Sequence, residues 1–370
     1  MNNERKPTAP GERLMSVDAL RGFDMFWIVG GRELVGGLLM LFMNPLPDGL
    51  ARQFGHAQWI GFTAWDLIMP LFLFIVGTSI PLSFAKRFER GQTKKDIHRH
   101  VIRRTLILFV LGMIAQGNLL DFDLSRLHIY ANTLQAIACG YLIASIAVLN
   151  LNIRWQGVTT AGLLVLYWLL MVLVPVPGHG AGALTPQGNL AMFIDEIILG
   201  RFRDGTTYTW ILSGLGFAGT VLLGVMSGHL LRSDKPPKTK VLWLFGAGIA
   251  GLVLGAIWGI WFPIIKHIWT SSFVLFAAGW SYLLLALFYL LIDVLGYKRW
   301  AFVFVVIGMN AIAVYMAAQV FHLQFIGETL VDGLARHLGE AGEFLELVVT
   351  IVICWLILFW MYRKKTFIKI

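Results

Sequence analysis

His56 and Asp66 stand ten residues apart at the start of a long apolar stretch, within NPLPDGLARQFGHAQWIGFTAWDL (44–67). Histidine is the side chain that gives and takes protons near neutral pH without any perturbation. It serves as base or nucleophile in acyl transfer. A carboxylate inside an apolar stretch is expensive and marks a site or a buried pair. If the intervening loop folds back, Asp66 orients the imidazole and steadies its protonated form, as the acid of a hydrolase triad does. Asn44, just before Pro45, carries a side-chain amide that can donate to a developing oxyanion. Each residue also has a plainer reading. His56 can be an interfacial side chain bonded to water, Asn44 a helix-ending turn, and Asp66 a charge favoured by the positive end of its helix.

Other polar residues interrupt apolar stretches. Asp18, Arg21 and Asp24 are spaced i, i+3, i+6, which puts them near one helix face. They read either as an ion-pair cluster at the membrane boundary or as a cationic contact for a phosphate. Arg32 and Glu33 fall near the middle of the first stretch, so they should face protein or a water-filled cavity and make the first helix a cavity wall. Lys266, between Trp261 and Trp269, is either a snorkelling lysine or a site cation. Asn310 (VVIGMNAIAVYM) and Gln135 (TLQAIACGY) are amides that must find a partner, in a neighbouring helix or in a ligand.

The elements that carry these residues follow from composition. Of 370 residues, 57% are hydrophobic and 14% charged, with mean hydropathy +0.72. Soluble domains run at about 45–50% apolar and about 25% charged. A membrane-crossing helix needs about 20 apolar residues, and such stretches lie near 19–43, 62–85, 101–120, 131–150, 156–175, 208–231, 241–262, 270–292, 301–322 and 343–362. Backbone groups must bond within each segment in lipid, and these runs do not alternate as barrel strands would. The expectation is an all-α integral membrane protein: a polytopic bundle of about ten transmembrane helices, with a cytoplasmic tail over 1–15 and one membrane domain over 16–370.

Charge placement sets the expected orientation. With both termini cytoplasmic, the terminal Lys and Arg residues, the block Lys86–Arg104, Arg154, the cluster Arg232–Lys240, and Lys298 and Arg299 all fall inside. Arg52, Arg126, Arg201, Arg203, Lys266 and Arg336 fall outside. That asymmetry follows the positive-inside rule. The net charge of +9 therefore reports topology first and an inner field for anions second, and nucleic acid is not an expected partner. Cys139 and Cys354 both fall in apolar stretches, so neither a disulfide framework nor a zinc site is expected. The first twenty residues lack the short apolar core of a cleaved leader. Gly214, Gly216 and Gly219 spell G-x-G-x-x-G, but inside an apolar run, where small residues serve close helix packing rather than a dinucleotide. The segment 176–207 reads as an outer loop with a short interfacial helix, and 258–269 as an aromatic outer-interface segment.

Four blocks carry a resemblance: RLMSVDALRGFDMFWIVGG (13–31), HAQWIGFTAWDLIMPLFLFIVGTSIPLSF (56–84), PIIKHIWTSSFVLFAAGWSYLLLALFY (263–289) and GMNAIAVYM (308–316). Together they resemble the transmembrane acyltransferases related to lysosomal heparan-α-glucosaminide N-acetyltransferase, and in particular bacterial relatives in the YeiB-like superfamily. The likeness runs in order through nearly all of 13–322. It implies acetyl transfer from acetyl-CoA, across the membrane, to an extracytoplasmic amino sugar or glycan. It also implies that His56 is the active-site histidine, Asn44 its partner, and that Asp66 and Pro70 belong to the following helix. The block Pro263, Lys266, Trp269, Thr270, Ser272 matches a family motif. Arg21, Arg32, Lys266, Trp269, Ser272, Asn310 and Gln135 are the expected acetyl-CoA contacts, with no metal. One block departs. Where the lysosomal pattern reads Arg-Ile-Pro-Gly-Val-Leu-Gln-Arg, this chain has His128-Ile-Tyr-Ala-Asn-Thr-Leu-Gln135-Ala136, so a basic residue becomes Ala136 and the Pro-Gly is lost. The implied setting is a bacterial cytoplasmic (inner) membrane with His56 near the extracytoplasmic face; a homodimer through small-residue helix faces is a further option. A second class of function stays open: a polytopic transporter of a small solute or lipid-linked precursor, since intramembrane charges mark pathways as readily as active sites.

Overall fold

The computed structural model describes residues 14–43, 45–321 and 323–368. In chain order its helices are α1 (Met15–Phe26), α2 (Arg32–Phe42), α3 (Asp48–Ala51), α4 (Ile68–Glu89), α5 (Lys94–Gln116), α6 (Thr133–Asn150), α7 (Ile153–Leu173), α8 (Leu190–Leu199), α9 (Gly214–Arg232), α10 (Pro237–Trp258), α11 (Ser271–Phe288), α12 (Phe302–Gly308), α13 (Ala311–Val320), α14 (Phe325–Ala335) and α15 (Glu340–Arg363). Among the described residues β-structure is confined to two isolated bridges, Ile60 with Ile265 and Val176 with Gly180. The all-α expectation holds.

Eight helical stretches are long and apolar enough to cross a bilayer, and α12 with α13, bent by 72° across a short break, would make nine. The expected ten is not reached among the described residues. The stretch expected at 101–120 does lie in a helix, α5, but that helix opens with KKDIHRHVIRR and is basic over its first half. The first span is continuous only through a π-helical turn, Trp27–Gly31, where Gly30 takes φ 134°. A side chain there would be strained, so glycine is what lets the chain pass from α1 to α2 without unwinding.

The chain forms two compact units. One holds 69–296 with 58–62 and the start of the chain; the other holds 18–57, 63–68 and 297–370. In the first unit, α4 and α9 cross at glycines. A methyl group on Gly77 would land on the Val221 carbonyl, and one on Gly224 on the Phe74 carbonyl. The Thr78 and Ser227 hydroxyls meet at 2.8 Å in the same crossing. Lipid offers helices no hydrophobic reward for associating, so backbone proximity is what holds such a pair. Gly224→Ala is therefore expected to separate α4 and α9 and cost about 1–3 kcal/mol, the scale of overpacking; a thermal melt of the purified protein checks this. The G-x-G-x-x-G residues lie on α9. Gly214 abuts the Cys139 sulfur, Gly216 the Trp269 ring, and Gly219 Leu164, which is the packing role expected of them.

In the second unit, α1 and α12 touch backbone to backbone: Gly22 faces the Phe304 carbonyl and Gly308 the Asp18 carbonyl. Asn310 sits in the break between α12 and α13, 1% exposed. Its Nδ2 donates to the Thr366 carbonyl at 3.3 Å and its Oδ1 accepts from the Ile368 N–H at 3.0 Å. The amide thus ties the segment after α15 to the bend.

Candidate functional site

The second unit brings His56 and Asp66 together. After α2 the chain makes the short turn α3, then a 3₁₀ turn over Arg52–Phe54, and Gly55 leaves it extended. Thr63 caps the next helical turn, Ala64–Leu67, in a capping box with Asp66 at its third position. This turn runs into α4. The carboxylate of Asp66 is therefore aimed back across the turn, at the loop that carries His56.

Asp66 is completely buried, and its oxygens are taken up by donors. Oδ1 lies 2.7 Å from His56 Nδ1. Oδ2 accepts the Ala57 and Thr63 N–H groups, each at 3.1 Å, and lies 3.0 Å from the Thr63 hydroxyl. The Thr63 hydroxyl also reaches the Gly55 carbonyl at 2.7 Å, and Gln53 Oε1 accepts the Ala64 N–H at 2.9 Å. A carboxylate facing so many N–H donors acts as the acceptor, so the neutral imidazole takes the tautomer with its proton on Nδ1 and its lone pair on Nε2. The His56 side chain is 40% exposed against 0% for Asp66. One nitrogen is thus oriented by a buried anion, and the ring stays open to a reactant. This is the base-and-orienter arrangement of acyl-transfer sites.

Trp65 extends the site in a way the sequence did not single out. Its ring centroid is 6.2 Å from that of His56, and the Arg32 guanidinium carbon lies 5.0 Å from its centroid. Arg32 also pairs with Glu33, Nε to Oε1 at 2.9 Å. Both side chains are about two-fifths exposed. The residues expected as a cavity wall thus form an ion pair, with Arg32 laid over the indole next to the histidine. Trp65, Thr63 and the Ala57 N–H are the site members that sequence reasoning missed. Of these only Thr63 had a signal, the T-x-x-D spacing of TAWD, which marks a capping box.

The other expected contacts are placed as follows. Asn44 lies outside the described residues. Arg21 pairs with Asp18, Nη1 to Oδ1 at 3.3 Å, as the ion-pair reading has it. Asp24 does not join that pair: its carboxyl is fully buried with no hydrogen-bond partner among the described residues. Asn310 is bonded to the chain after α15, as above. In the first unit, Lys266 is only 5% exposed, so it does not snorkel. Trp269 is 2% exposed, donates its indole N–H to Thr220 Oγ1 at 3.1 Å, and holds a left-handed backbone with φ 51°. Ser272 is buried, its hydroxyl set against the Phe262 and Pro263 carbonyls at 2.5 and 3.1 Å. Gln135 is 1% exposed; its Oε1 accepts the Ala131 N–H at 2.9 Å and its Nε2 donates to the Ile129 carbonyl at 2.5 Å. These last three side chains fix turns.

The segment 176–207 of the first unit contains a further buried acid. Asp195 of α8 accepts the Trp210 and Ile211 N–H groups at 2.7 and 3.0 Å, pinning the turn that leads into α9. Burial pushes its carboxyl up to about 6, against the opposing pull of those N–H groups and of Arg203. A folded-state value above the unfolded one means stability present at low pH and lost as pH rises through about 6. Thermal melts from pH 4 to pH 7 are expected to show wild type losing stability relative to Asp195→Asn, which does not titrate.

Fold and site define an all-helical integral membrane protein with a histidine–carboxylate pair in its second unit. The family described as Domain of unknown function (DUF5009) matches residues 13–182. The chain is similar to heparan-alpha-glucosaminide N-acetyltransferase of Homo sapiens, 27% identical over 422 residues, covering 97% of this chain and 60% of the relative. It is equally similar to the Mus musculus protein of that name, 27% identical over 424 residues, covering 98% of this chain and 62% of the relative. The chain therefore spans about three-fifths of the length of these curated relatives.

Proposed function

We propose that this protein is a membrane-embedded acetyltransferase that moves an acetyl group from acetyl-CoA to an amino sugar or glycan. The observation that carries the reading is the His56–Asp66 pair: a half-exposed imidazole whose Nδ1 is held by a fully buried carboxylate. Two routes balance. In the first, Nε2 attacks the thioester carbonyl, the C–S bond breaks and CoA leaves as the thiolate; the acceptor amine then attacks the acetylimidazole, the acetyl–Nε2 bond breaks, and the amine's proton goes to the thiolate. In the second, Nε2 takes a proton from the amine as its nitrogen attacks the thioester, and that proton goes on to the departing thiolate. Asn44 is assigned to the oxyanion. Arg32, held over Trp65 beside His56, is a cation for the coenzyme's polar arm. Arg21 serves its phosphates, while Asn310, bonded to Thr366 and Ile368, holds the chain after α15 in place. Trp269, Ser272 and Gln135 are given a positioning task.

The Lys and Arg asymmetry of the sequence supports cytoplasmic termini and a His56 that faces the opposite compartment. The favoured setting is a bacterial cytoplasmic membrane, with coenzyme admitted from one side and acceptor from the other. The test uses the full chain in lipid nanodiscs with labelled acetyl-CoA and a panel of amino sugars, glycan fragments and hydroxyl acceptors. Label in an acceptor supports the reading. No acetyl-CoA binding and no thioester turnover in any lipid overturns it in favour of transport. The transport reading has one structural observation behind it, the bent pair α12–α13. The break's Asn310 is, however, already bonded to Thr366 and Ile368.

A further inference from the structure

Helix α5 presents one face on which cations and exposed aliphatic side chains are stacked in order. Lys95, Arg99 and Arg103 repeat at i, i+4, i+8, and all three are exposed. None of the three closes an ion pair among the described residues. Beside that row, and continuing deeper along the helix, come Ile102, Leu106 and Val110, exposed by 53%, 62% and 47%. Lys95, His98, Arg99, Ile102, Arg103, Leu106 and Ile107 line a groove of about 650 Å³. His98 is turned toward its own helix, its Nδ1 2.8 Å from the Lys94 carbonyl oxygen, so the groove's charge comes from the two arginines and the lysine.

Physical chemistry gives this order a meaning. In a membrane helix, long basic side chains reach for the headgroup level while aliphatic ones face the acyl region. Three cations along about 12 Å of helix, offset only in part by Asp96 beside Lys95 and Arg99 and next to a strip of exposed aliphatic surface, are complementary to a molecule with an anion at one end and hydrocarbon at the other. A soluble phosphate satisfies the first half and leaves Ile102, Leu106 and Val110 without a role. A neutral lipid satisfies the second half and leaves the charges uncompensated. We propose that this face of α5 is a binding site for an anionic phospholipid, its phosphate held among Lys95, Arg99 and Arg103 and its acyl chain lying along Ile102, Leu106 and Val110. The site is independent of the acetyl-transfer reading and of which compartment α5 faces.

Native mass spectrometry of the purified full chain, given equal phosphatidylglycerol and phosphatidylcholine, reads the retained lipid. Wild type is expected to retain phosphatidylglycerol over phosphatidylcholine roughly tenfold, the scale set by a few basic side chains near an anionic lipid. The triple variant Lys95→Gln, Arg99→Gln, Arg103→Gln should lose that preference, while Arg90→Gln, exposed in the preceding turn, should keep it. Retention in wild type should also fall as salt is raised, a measurement that stands if the triple variant fails to fold. Equal retention of the two lipids, an unchanged triple variant, or salt-independent retention overturns the proposal. So does displacement of the lipid by equimolar CoA or inorganic phosphate, which would make the groove a soluble-phosphate site.

Discussion

His56→Ala will lower acetyl transfer by roughly 10²–10⁴, the range in which a positioned acid–base group contributes. The loss should fall on kcat, because the imidazole acts in the transition state rather than in holding substrate. Acetyl-CoA binding, read by titration calorimetry in the same nanodiscs, should be nearly unchanged. The fold should survive, since the His56 side chain is 40% exposed and truncating it leaves little buried space, although losing its bond to buried Asp66 should cost about 1–3 kcal/mol. If transfer persists within threefold of wild type, His56 is an interfacial residue and the chemistry lies elsewhere. If kcat falls as expected, acid quenching without acceptor separates the two routes: label on His56 supports the acetylimidazole, and its absence supports direct attack.

Asp66→Asn will damage both chemistry and folding, for one reason. The carboxylate accepts from His56 Nδ1, from the Ala57 N–H and from the Thr63 N–H. An amide of the same shape keeps one acceptor oxygen and turns an NH₂ group toward donors. If the NH₂ faces the ring, it requires Nδ1 to accept, which moves the imidazole proton to Nε2 and removes the base. If it faces the other way, it meets two backbone N–H groups in a site closed to water. Transfer should fall by roughly 10²–10⁴, and stability by about 1–3 kcal/mol for the unsatisfied buried groups. His56→Ala combined with Asp66→Asn should be no slower than either alone, because the two act as a unit. The melting temperature should remain as low as in Asp66→Asn. Additive losses in rate would mean that Asp66 acts on transfer by a path other than the histidine.

Much of this was legible before any coordinates. Apolar run length set the helices, and the cost of a carboxylate in lipid singled out Asp66. The meeting of His56 with Asp66 depended on a loop closure that spacing alone leaves open, and the capping box at Thr63 is what closes it. Three features were not legible. The count stops short of ten at α5, whose helix is too basic over its first half to be apolar enough along its length. Trp269 and Ser272 look like site residues by type, but their polar atoms are bonded within the fold. The same holds for Asn310, whose partners Thr366 and Ile368 lie more than fifty positions away. Such pairings are set by tertiary packing, and no local period reports them. Arg32 reached the histidine's neighbourhood only by way of Trp65, an aromatic that in a chain this apolar has nothing in its type to mark it.

Asp66 occupies two posts at once, third residue of a cap and anchor of an imidazole. On the acetyl-transfer proposal, a descendant that abandoned the reaction would still need it to begin α4, whereas the scaffold asks less of the histidine, whose side chain is 40% exposed. When related sequences are sorted into working enzymes and retired ones, the aspartate will therefore be a poor witness and position 56 the one to consult.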